Sequence, residues 1–146
     1  MTKTAGRRRF AWVLAVVALA GHATAHAQAS PEALEAQLTT AVQHAEFSMT
    51  ADDHAMAVRH LAHVLNCIAG EGGDGFDGPW GHPCGGQGSG IVQDVAAHPH
   101  AADVAALLAA AHELAKQGVN GETLGAVQAA AAGVRALLQV LVGFGG

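Results

Sequence analysis

Met56, His60, His63 and Cys67 follow one another at intervals of four, three and four residues. In a helix that spacing sets the four side chains on one stripe, with successive members one turn apart. Two imidazoles one turn apart can bind a single ion. A third imidazole, His82, lies two residues before the other cysteine, Cys84. A bridge from Cys67 to Cys84 would draw His82 toward the His60–His63 stripe. Three neutral imidazoles suit copper, zinc or nickel, and the Met56 thioether would favour copper. The predicted metal ligands are therefore His60, His63 and His82, with Met56 as a soft partner. Protonated imidazole cannot coordinate, so affinity should fall as pH drops through about 6.5. The competing reading of the same histidines is a solvated helix surface.

The remaining histidines carry weaker signals. His44 and His54 flank inward helix faces and read as structural residues, although in a bundle they could ligate a non-covalent b-type haem. No Cys-x-x-Cys-His occurs, which excludes covalent c-type haem. His98 reads as a helix cap and His112 as an exposed residue. Gly72-Gly73-Asp74-Gly75-Phe76-Asp77 matches one unit of a calcium-binding nonapeptide repeat. A single copy has no stacked neighbour to complete an ion shell, so the match carries no assignment. Gly70-x-Gly72-x-x-Gly75 is rejected as a dinucleotide loop, because it follows a helical segment and holds carboxylates. No Gly-x-Ser-x-Gly and no Glu-x-x-His are present. The chain is therefore read as non-enzymatic.

These residues need elements to hold them. Ser30-Pro31-Glu32 is a strong helix start, followed by Leu34, Leu38, Val42, Ala45 and Met49 at helical spacing, predicting a helix over 31–48. Thr50 with Asp53 resembles a capping box, so a second helix is placed over 51–69, ending at Gly70. Its inward face is read as Val58, Leu61, Leu65 and Ile68, with Val64 at the edge. Residues 70–99 form a connecting segment with ten glycines between Gly70 and Gly90. Ile91–Val95 adds one short helical turn there. Further helices are placed over 100–116 and 122–142, separated by the Asn120-Gly121 reversal. The predicted fold class is all-α: two helical hairpins in an up-down four-helix bundle, with a disulfide-pinned glycine-rich loop between them. On that loop Phe76 and Trp80 are candidate anchors for a partner protein, the alternative to metal binding.

Residues 1–27 read as a signal peptide. Lys3 and Arg7–Arg9 precede the apolar run Phe10–Ala20, and Ala25-His26-Ala27 supplies a small-x-small cleavage pattern. Arg7-Arg8-Arg9-Phe10 also touches the twin-arginine pattern, with the Sec route preferred. The expectation is a periplasmic or secreted product, residues 28–146 forming one helical domain. That product has three cations, Arg59, Lys116 and Arg135, against twelve carboxylates, a formal charge of −9 with histidines neutral. Such a surface disfavours nucleic acid and anionic membranes. No further membrane span is expected after the leader. In an exported chain the two cysteines are expected to pair, contributing roughly 3 kcal/mol by loop closure.

Overall fold

The computed structural model describes residues 30–144. The leader predicted over residues 1–27 lies outside them. The described residues form five α-helices and no strand: α1 (Pro31–Met49), α2 (His54–Ala69), α3 (Ile91–Ala96), α4 (Ala101–Gly118) and α5 (Leu124–Leu141). A single 3-10 turn, Gly78–Trp80, interrupts the segment between α2 and α3.

Local chemistry sets the helix ends. Ser30 Oγ accepts from the Ala33 amide at 3.3 Å, and Pro31 fills the first turn of α1. Asp53, not Thr50, caps α2: its Oδ1 accepts from Met56 N at 2.8 Å. Thr50 instead turns back, its hydroxyl donating to the Glu46 carbonyl at 2.9 Å and closing α1. The second helix thus begins three residues later than the sequence implies. Gly70, at φ 66, ends it in a conformation that favours glycine. Thr123 caps α5 by accepting from Ala126 N at 3.2 Å.

α1 packs against α2 and α5, α4 against α5 and α2, and the short α3 touches α1, α2 and α4. Leu38, Leu61, Val64, Ile68, Val127, Val134, Leu138 and Leu141 are fully buried between them. Two helix faces are rotated relative to the expectation. Val64 is fully buried while Val58 is only partly so, and α1 buries Gln37 and Ser48 where Val42 and Met49 were expected. Both polar residues have partners, as burial requires. Ser48 Oγ donates to the Ala57 carbonyl at 2.8 Å. Gln37 donates to Asp94 Oδ2 at 2.7 Å and accepts from Gly90 N at 3.1 Å, while Ser89 N donates to the same carboxylate oxygen at 3.0 Å. A Cβ at Gly88 would collide with both the Gln37 amide and the Asp94 carboxylate, so any larger residue there would have to displace this buried pair.

One described helix bears on the expectation that no membrane span follows the leader. Leu124–Leu141 has 18 residues and a mean hydropathy of 1.5, enough by length and composition alone to cross a bilayer. Here its stripe Val127, Ala131, Val134, Leu138 and Leu141 is buried against neighbouring helices.

Candidate metal centre

The cross-link exists: Cys67 and Cys84 are joined, with Cα atoms 5.3 Å apart and both residues fully buried. The loop it closes is held a second time by Asn66. The Asn66 amide donates to the carbonyls of Asp77 (2.8 Å) and Gly81 (2.6 Å), and its oxygen accepts from Asp77 N at 2.8 Å. One side chain at the end of α2 therefore fixes both shoulders of the turn that carries Trp80.

That turn delivers a backbone carbonyl to the histidine stripe, and the third imidazole comes from another direction. His44, on α1, faces His60 and His63 on α2, and the ligating nitrogens of the three lie within 4.8 Å of one another. His44 Nδ1 stands 3.2 Å from His60 Nδ1 and 3.2 Å from His63 Nδ1. His82 is not brought into this group. Its ring packs edge-on against Phe76, with centroids 5.3 Å apart, and its Nδ1 stands 4.0 Å from Glu71. Both ring nitrogens of His82 are buried without a hydrogen-bond partner. The cross-link draws residue 82 inward, but onto Phe76. The three imidazoles that converge are His44, His60 and His63, so His44, read from sequence as structural, joins the group. His54 keeps such a role, bonding through Nε2 to the Gly121 carbonyl at 2.7 Å. Met56, one turn before His60, is 41% exposed.

Two of the three spacings suit an ion. Imidazole nitrogens 2.0–2.1 Å from one tetrahedral metal stand about 3.3 Å apart, close to the two 3.2 Å separations. Proton positions point the same way. Trp80 O, 2.6 Å from His63 Nε2, can only accept, so His63 Nε2 carries the hydrogen and its Nδ1 presents a lone pair when neutral. A carbonyl fixing the tautomer of a ligating histidine is a recurring outer-shell arrangement. Without an ion, the single proton on a neutral His44 ring cannot make full bonds to both neighbours.

Charge on the triad is disfavoured. Burial, reinforced by His63 and then His60, lowers the His44 pKa to about 4. Burial, then His63, then Arg59, also lowers His60. His63 is lowered by burial and Arg59, against the opposing pull of the Trp80 carbonyl. Three imidazoles held neutral are ready to ligate at pH values where exposed histidines have begun to protonate. The expected loss of affinity therefore moves below 6.5.

A second group of donors, Asp74, His112 and Glu113, also converges. It already holds a cation, since Lys116 Nζ lies 2.6 Å from Asp74 and 3.1 Å from Glu113. Of the predicted partner contacts, Trp80 is 40% exposed, whereas Phe76 is half-buried against His82.

No protein-family model matches this chain, and no curated protein or solved structure matches it either.

Proposed function

We propose that this is an exported, non-catalytic protein that binds a divalent transition metal through His44, His60 and His63, for sequestration, delivery or sensing. The single observation behind this reading is the pair of 3.2 Å Nδ1–Nδ1 separations meeting at His44, near the spacing that one shared ion imposes. An all-nitrogen set suits zinc, copper(II) or nickel. Export is the reading that best accounts for the basic and apolar leader pattern and for a disulfide in so small a chain. The helix contacts α1–α2, α2–α4, α4–α5 and α5–α1, with α2 also touching α5, support reading the fold as a four-helix up-down bundle.

Isothermal titration at pH 7.5 with zinc, copper(II) and nickel should show uptake of one ion per chain. His60→Ala with His63→Ala should remove it while leaving the helical circular dichroism unchanged. Absence of uptake for all three metals would end this reading.

A further inference from the structure

Three nitrogens leave a four-coordinate ion one donor short, as in zinc sites that keep an exchangeable position. Among the described residues, no fourth His, Cys, Asp or Glu donor joins the three. Glu46 pairs with Arg135 at 2.8 Å, and Asp53 gives one carboxylate oxygen, Oδ1, to the α2 cap. Directly beside His60 lies a cavity of about 260 Å³ walled by Phe47, Asp52, Asp53 and Met56. The Phe47 ring stands 5.3 Å from that of His60 and 5.6 Å from that of His44, and 43% of Phe47 remains exposed. The cavity therefore offers an aromatic face and two carboxylates beside His60. A small flat ring suits the first, and a ring N–H suits the second. An anion would meet the acidic wall, opposed by the exposed cation Arg59.

We propose that the ion's fourth position opens into this cavity and takes a small neutral nitrogen heterocycle of the imidazole class, one nitrogen on the metal and its N–H toward Asp52 or Asp53. The volume falls below that of drug-sized pockets and admits a single ring. This rests on the triad binding a metal, and the two ideas fail separately. Cobalt(II) would be loaded into the full chain as a visible stand-in for zinc, then titrated with imidazole and, in parallel, with azide. The expected result is a change in the cobalt visible bands at several-fold lower imidazole than azide. No cobalt uptake would sink the metal reading itself. Cobalt uptake with no response to imidazole, or a response to azide at lower concentration, would overturn this inference and leave the metal reading standing. If only the Met56→Ala variant responded, the methionine sulfur would hold the fourth position and the inference would likewise fall.

Discussion

His44 stands sixteen positions before His60 on a different helix, so no spacing rule connects it to the His60–His63 stripe. Its importance follows from sharing its one Nδ1 with both neighbours. His44→Ala should lower zinc affinity by at least about 100-fold, beyond the 10- to 100-fold typical of outer-shell losses, in a competition titration. His82→Ala, the ligand expected from sequence, should leave affinity within about 3-fold, by the same outer-shell yardstick. If the two variants exchanged behaviours, the triad would be misassigned. The same residue sets a pH dependence. His44 is neutral in the folded chain down to about 4, whereas in the unfolded chain it protonates near the ordinary value of 6.5. As pH falls from about 6.5 toward 4 the unfolded state binds more protons, so stability is lost across that window and is full above it. The apoprotein should have a lower melting temperature at pH 5 than at pH 7.5. His44→Phe, which keeps a ring but cannot titrate, should reduce that difference, the remainder coming from His60 and His63, which are lowered too; an unchanged slope would show that other groups govern it.

At the scale of elements, the α1–α2 hairpin positions all three imidazoles, and the loop meets them through the Trp80 carbonyl. Asn66 holds that carbonyl's turn in place through three hydrogen bonds. Asn66→Ala should cost about 1–3 kcal/mol in urea unfolding, since backbone groups at Asp77 and Gly81 lose their partners. An effect below about 0.5 kcal/mol, the level of an ordinary surface substitution, would mean the turn holds itself. The helices themselves were legible because caps and apolar spacing are local: Ser30, Gly70 and the Val127–Val134–Leu138–Leu141 stripe all behave as read. The rotation of α1 was not legible. Burying Gln37 depends on Asp94 being 57 positions away and on the backbone of Gly90, and nothing near Gln37 announces them. Asn66 was hidden for the same reason, its partners lying eleven and fifteen residues downstream in a segment with no periodicity. The Cys67–Cys84 link was readable because only two cysteines exist, yet which imidazole it would deliver was a question of distance rather than order.

For the whole molecule, the cross-link pins the loop to α2, while the proposed ion would be held where α1 meets α2. The link closes a loop of seventeen residues' separation and, in the chain-entropy description, contributes about 3 kcal/mol by restricting the unfolded chain. The ion would be held by α1 and α2, which pack directly against each other. Replacing Cys67 and Cys84 by alanine, chosen because both sites are fully buried and would strand a serine hydroxyl, should therefore destabilise the chain without abolishing metal uptake. Loss of the ordered Trp80 carbonyl should weaken affinity by about 10-fold or more, the scale of an outer-shell contact. An ion present at 100 times its dissociation constant contributes about 2.7 kcal/mol to the folded state, nearly the amount the missing link removes. Zinc at that excess over the variant's own dissociation constant should accordingly return its denaturation midpoint close to that of the metal-free parent. If zinc rescued the parent but gave the cysteine-free chain no gain, the loop would be an essential part of the site, and the α1–α2 hairpin alone would not hold the metal.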